Sequence, residues 1–169
     1  LVGSEMCIRD SESTYKIYDA LLGLESGIIT PEHSSMTWNG DAFPFPSWEA
    51  DQDLNSAMQN SVNWYFQAID SQLGINRVQE FLNKIEYGNQ TTSSNLDLYW
   101  SDFSLKISPL EQVTLLKKFN TNEFHLNSQN VFSVKNAIKI ASTPMVISTE
   151  KLEPVVSTDR ISTAGLSDM

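Results

Sequence analysis

The chain has 169 residues, 40% of them hydrophobic and 19% charged, the balance of one globular domain or part of one. A formal net charge of −10 speaks against a protein that tracks nucleic-acid phosphates, which carries a basic stripe. One cysteine, Cys7, allows no internal disulfide or thiol zinc cluster, and two isolated histidines, His33 and His125, make no metal site. No apolar run is long enough to span a bilayer, and the first residues lack a signal-peptide pattern.

Residues 1–10 (LVGSEMCIRD) have neither helical nor strand period and read as a translated adaptor-like string, set apart from the fold. From Ser13, the apolar positions Ile17, Ala20, Leu21 and Leu24 recur at helical spacing and stop at Gly27, which predicts a buried helix starting at Ser13. Three-residue spacing brings Ser13 and Lys16 onto one face of it. A serine alcohol needs a neighbouring base before it can act as a nucleophile, and a lysine serves only if burial or modification stops it being an ammonium. The pair is a candidate acylation centre; the plainer reading is an N-cap serine and a solvated lysine. Negative charge developing near Ser13 would be stabilised by the free N–H groups of the helix start.

Residues 28–48, with Pro31, Trp38-Asn39-Gly40 and the run from Phe43 to Trp48, read as an extended connection. Leu54, Ala57, Met58, Val62, Tyr65, Phe66, Ile69 and Leu73 then fall on one helical stripe ending at Gly74, with Ser61 in its middle and Asn63 close by. Val78, Phe81, Leu82 and Ile85 mark a short helix closed by the turn Tyr87-Gly88-Asn89, and a polar loop leads to Tyr99-Trp100. Ser108-Pro109-Leu110-Glu111 spells a capping box with proline in the first helical position, predicting a helix to about Phe119. Val131, Val134, Ala137, Ile138 and Ala141 predict a last helix ending near Ser142-Thr143-Pro144. Few strands are visible.

Ser13-Thr14-Tyr15-Lys16, Ser61-Val62-Asn63, Tyr87-Gly88-Asn89 and Leu105 to Gln112 stand in the order and approximate spacing of the class D serine β-lactamases and related penicillin-binding domains. With Trp38-Asn39-Gly40, Asp51 to Leu54, Ser56-Ala57-Met58 and Asn63 to Gln67, the chain resembles more closely the extracellular penicillin-binding domain of BlaR/MecR-type β-lactam sensor-transducers. The resemblance covers about Ser11 to Pro144. It implies an α/β (α+β) fold in which a helical subdomain packs on an antiparallel sheet, of which this chain holds mainly the helical part.

The resemblance also implies roles. Ser13 attacks the β-lactam carbonyl, Lys16 is the general base in the form of a carbon dioxide adduct, and Ser61 relays the proton to the lactam nitrogen. Trp100 hydrogen-bonds the carbamate, as a donor-only indole N–H can, and Tyr87, Gly88 and Asn89 shape the pocket wall. Class D hydrolases usually carry valine where Asn63 stands; an amide there can hydrogen-bond a free lysine amine, so that Lys16 loses its carbamate after acylation and the ester lasts. β-Lactam antibiotics are the implied ligands, with no metal, no other cofactor and no nucleic acid. The expected function is β-lactam sensing at the extracellular face of a bacterial membrane, the parent protein being anchored by segments outside this chain. The alternatives are a secreted or periplasmic class D β-lactamase and, from a different class, a non-catalytic helical interaction module.

The family's Lys-Thr-Gly strand, which holds the drug carboxylate and oxyanion, has no counterpart triplet here. Codons chosen for Pro144 to Val155 regroup, one frame over, to N-G-N-L-Y-G-K-T-G-T-G, and Thr163 to Met169 regroup to G-W-F-I-G-Y. The expected organisation is therefore an adaptor-like segment at 1–10, a partial penicillin-binding domain at 11–144 and an out-of-frame tail at 145–169. On that reading the second Ser-x-x-Lys, Ser148 to Lys151, is coincidence, and the chain as written lacks a complete site.

Overall fold

The computed structural model describes residues 9–10, 12–92, 99 and 104–139, and they are mostly helical. A 3₁₀ turn, Glu12–Tyr15, runs directly into α1 (Lys16–Glu25), which lies at the centre. Around it pack α2 (Leu54–Gln59), α3 (Asn63–Leu73) and α6 (Ser128–Ala137), while α4 (Ile75–Ile85) rests on α3 and α5 (Pro109–Thr121) lies between α4 and α6 in the chain. Eight of the ten α1 residues are buried, so this helix is held by packing on all sides rather than by one apolar stripe. Gly23 lets α3 come close: a Cβ there would stand 2.9 Å from Cγ2 of Ile69.

Ser13 lies inside the 3₁₀ turn, and the α-helix proper begins at Lys16, three residues later than the apolar period suggests. The single stripe from Leu54 to Leu73 is two helices. Between them the Ser61 amide donates to the Met58 carbonyl at 3.3 Å and the Val62 amide to that of Ala57 at 2.9 Å. Ser61 itself takes a left-handed conformation, φ +53°. The apolar spacing stays in phase across this turn, which is why periodicity alone runs the two helices together. Asp53 and Ser56 form a capping box that starts α2, their side chains accepting from each other's amides at 2.8 and 2.9 Å.

The capping box read at Ser108 and Glu111 is present: the Glu111 amide donates to Ser108 Oγ at 3.2 Å and the Ser108 amide to Glu111 Oε2 at 2.8 Å. These bonds hold the Glu111 carboxyl below its usual range. The helix runs two residues past Phe119, while α6 ends at Ala137, earlier than its apolar pattern. Arg9–Asp10 (β1) pairs antiparallel with Lys106–Ile107 (β2), Arg9 opposite Ile107 and Asp10 opposite Lys106. The sequence reading placed these two N-terminal residues outside the fold; a two-residue strand joined by backbone bonds carries no side-chain period to betray it.

Candidate active site

The 3₁₀ turn, the first residue of α1 and the turn before α3 bring three side chains together. The Lys16 ammonium donates to Ser13 Oγ at 3.1 Å and to Ser61 Oγ at 2.8 Å, and the Ser61 hydroxyl donates to Ser13 Oγ at 2.9 Å. Ser13 is exposed, whereas Lys16 is only 1% exposed. Burial lowers the Lys16 pKa from 10.5 to about 8, with Asp19 opposing the shift. An amine so placed can give up its proton near neutrality and then accept one from Ser13. Ser61, touching both, supplies a path for that proton.

Ser13 opens onto a cleft of about 400 Å³ lined also by Phe45, Ser47, Trp48, Asn60, Ser61 and Asn63. Its wall comes from the connection before α2: Phe45 and Trp48 pack at 5.3 Å between ring centroids, and Trp48 is pinned by its indole N–H to the Asn60 carbonyl at 3.0 Å. Asn63, the first residue of α3, is half-buried on the cleft, and no hydrogen bond joins its side chain to Lys16. The cleft meets Lys16 through the two serine hydroxyls.

A fully buried layer of rings stands behind the triangle. Tyr15 packs edge-on against Tyr87 at 5.3 Å and against Tyr99 at 5.5 Å, and Tyr18 against Tyr87 at 5.1 Å. The Tyr87-Gly88-Asn89 turn acts from this side. None of its residues lines the cleft at Ser13. Tyr87 backs the turn that carries Ser13. Gly88, at φ +47°, lies so near the Lys106 carbonyl that a Cβ would collide with it. Asn89 fastens β2, its amide donating to the Lys106 carbonyl at 2.9 Å and its side chain accepting from the Lys106 amide at 3.0 Å. Trp100 lies outside the described residues.

Three residues that sequence reasoning passed over belong to this layer. The Tyr99 hydroxyl donates to that of Tyr15 at 2.6 Å and lies 3.3 Å from Oδ1 of Asp70. Asp19 on α1 and Asp70 on α3 are both fully buried. Burial, then the adjacent Asp70 carboxyl, push the Asp19 pKa well above the carboxylate range. Burial likewise raises Tyr15 and Tyr99. The signal for the two acids was present in the sequence: each interrupts an otherwise apolar helix face, where an acid is rare unless partnered.

An exposed serine in the 3₁₀ turn, a buried lysine at the start of α1 and a second serine delivered from the turn between α2 and α3 make the hydroxyl–amine arrangement that serine acyl transfer needs. The sequence profile of the penicillin binding protein transpeptidase domain matches residues 10–161, and the chain belongs to that family. It is 52% identical over 128 residues to the regulatory protein BlaR1 of Bacillus licheniformis, covering 76% of this chain and 21% of that protein. Among solved structures, the C-terminal domain of the Bacillus licheniformis BlaR penicillin-receptor superposes with a TM-score of 0.77 at 48% identity, over 80% of this chain and 55% of that one. A class D β-lactamase from Bacillus subtilis superposes with a TM-score of 0.74 at 35% identity, over 77% and 55%. The chain thus has the penicillin-binding and β-lactamase fold, mainly its helical part, and spans about a fifth of the BlaR1 regulatory protein and about half of these solved domains.

Proposed function

We propose that this chain is the nucleophile-bearing part of a β-lactam-sensing domain. The observation that carries the reading is the Ser13–Lys16–Ser61 triangle at the mouth of the cleft. Ser13 Oγ adds to the lactam carbonyl as its proton passes to the base at Lys16. The ring C–N bond then breaks and the nitrogen takes a proton through Ser61, leaving the opened drug esterified to Ser13. A neutral amine also captures carbon dioxide, and its lowered pKa suits Lys16 to do so. The carbamate is then the base for acylation. Asn63 stands on the cleft wall without a hydrogen bond to the free Lys16 amine, so a part for it in keeping the ester requires its amide to turn toward the lysine after acylation.

The parent protein would hold this domain at the extracellular face of a membrane through segments outside the chain. The second reading is class D hydrolysis, favoured by the likeness to the Bacillus subtilis enzyme, in which case the protein is secreted or periplasmic. A non-catalytic interaction module leaves a buried lysine shared by two hydroxyls without a purpose.

The test is labelling with a fluorescent penicillin, on the chain and on a version with its Lys-Thr-Gly strand restored, with mass mapping of the adduct. A stable ester on Ser13 of the restored version, absent from Ser13→Ala, is expected. Retention of drug by Ser13→Ala would sink the acylation reading. Turnover of a chromogenic cephalosporin many times per second would replace the sensor with a hydrolase.

A further inference from the structure

Behind the triangle lies a polar pair that acylation leaves unused. Asp19 sits one turn along α1 from Lys16, and among the described residues neither of its carboxyl oxygens meets a hydrogen-bond donor. Asp70, from α3, lies within hydrogen-bonding reach of it. Two carboxylates in contact inside an apolar interior do not both ionise; one shared proton turns the contact into a hydrogen bond. The high proton affinity of Asp19 accords with that state. Among the described residues, the titratable groups around the pair are Lys16 and Tyr15 from the start of α1, Tyr65 on α3, and Tyr99, whose hydroxyl lies 3.3 Å from Asp70 Oδ1. One proton on two acids leaves one negative charge, fixed and dry, near the Lys16 amine.

We propose that Asp19 and Asp70 are positioning residues for Lys16: as an acid–carboxylate pair they hold one negative charge behind its amine, favouring its ammonium and opposing any anion built on it. Carbamate formation joins the neutral amine nitrogen to the carbon of carbon dioxide, opens one C=O bond to an oxyanion and releases a proton to water. The product sets a second negative charge near the first, in a medium where charge repulsion is strong. The adduct is therefore weak and readily reversed. The inference rests on the acylation reading for its consequence, a long-lived ester, but not for its test.

The test uses the full chain and no drug, so its failure and that of the acylation reading are separate events. Protein carrying ¹³C at lysine Cε is equilibrated with ¹³C-bicarbonate, and NMR reads both the titration of Lys16, assigned with Lys16→Arg, and its carbamate. Asp19→Asn and Asp70→Asn each keep one carboxylate facing one hydrogen-bond donor and are expected to match the parent chain. The double variant removes the charge. It is expected to raise carbamate occupancy at fixed bicarbonate about tenfold and to move the lysine titration to lower pH. A double variant that behaves like the parent overturns the proposal, as does a single variant that shifts as far as the double. Where the double amide does not fold, Asp19→Leu/Asp70→Leu takes its place. Failure of both double variants beside two well-folded single ones also overturns it, by making the pair structural.

Discussion

The lowered proton affinity of Lys16 makes the rate of acylation depend on pH in a window that the structure specifies. With a pKa of about 8 in place of 10.5, the neutral amine at pH 7 is about one molecule in ten rather than about one in three thousand, a gain of roughly 300-fold in competent base. Either route from Lys16, direct proton acceptance or capture of carbon dioxide, needs that neutral amine. The acylation rate of the strand-restored chain, followed by mass spectrometry at low drug concentration, is expected to rise tenfold per pH unit below about 8 and to level off above it. Repeating the series in carbon-dioxide-free buffer and in bicarbonate separates the two routes, since only the carbamate route loses amplitude without bicarbonate. A rate that is flat from pH 6 to 8, or that still climbs steeply beyond pH 9.5, would refute the assignment of Lys16 as the base. Stability obeys the same shift. Below pH 8 the lysine is protonated both folded and unfolded; between about 8 and 10.5 the unfolded chain binds more protons, so stability rises with pH. Above pH 10 the buried tyrosines, whose folded pKa values are raised, oppose the gain.

Ser61→Ala removes the hydroxyl that joins Lys16 to Ser13 and is expected to slow acylation about 10²-fold, read by the same assay, with the adduct still on Ser13. Gly88→Ala drives a methyl group into the Lys106 carbonyl at a positive φ, and should cost about 2–4 kcal/mol, seen as a melting temperature lower by about 10 °C in circular dichroism. An unchanged melting curve would mean that the turn is not clamped to β2 as described. Ser108→Ala breaks one half of the α5 capping box and is expected to cost about 1 kcal/mol in the same measurement. The bases encoding Pro144 to Val155 are expected to regroup, one frame over, into the Lys-Thr-Gly strand; bases that cannot do so make residues 145–169 native sequence.

What the sequence disclosed was local. The helical spacing of apolar residues in α1 and α4 and the reciprocal caps of Ser108 and Glu111 depend on neighbours a turn away, and such spacing can be read from letters alone. The nucleophile and its lysine share that property, being three residues apart. What stayed hidden depends on distant partners. Asp19 and Asp70 each show in the sequence as an acid on an apolar helix face, but that they meet one another appears only once α1 and α3 are packed together. Tyr99 looks like a loop aromatic until its hydroxyl is found on Tyr15. The role of Tyr87-Gly88-Asn89 at β2 needed the strand in place, since β2 announces itself by neither length nor alternation.

The break between α2 and α3 joins the two kinds of information. A continuous helix from Leu54 to Leu73 would satisfy every apolar position and would bond each amide, yet the chain places Ser61, a non-glycine, in a left-handed conformation instead. Such a residue costs on the order of 1 kcal/mol, and no glycine stands there to relieve it. In exchange, the turn projects one hydroxyl out of the helical path to within 2.8 Å of the Lys16 nitrogen and 2.9 Å of the Ser13 oxygen. Glycine would remove the strain and the hydroxyl together. The strain is therefore located at the residue that closes the triangle, and a Ser61→Gly chain should fold at least as well as Ser61→Ala while acylating as slowly.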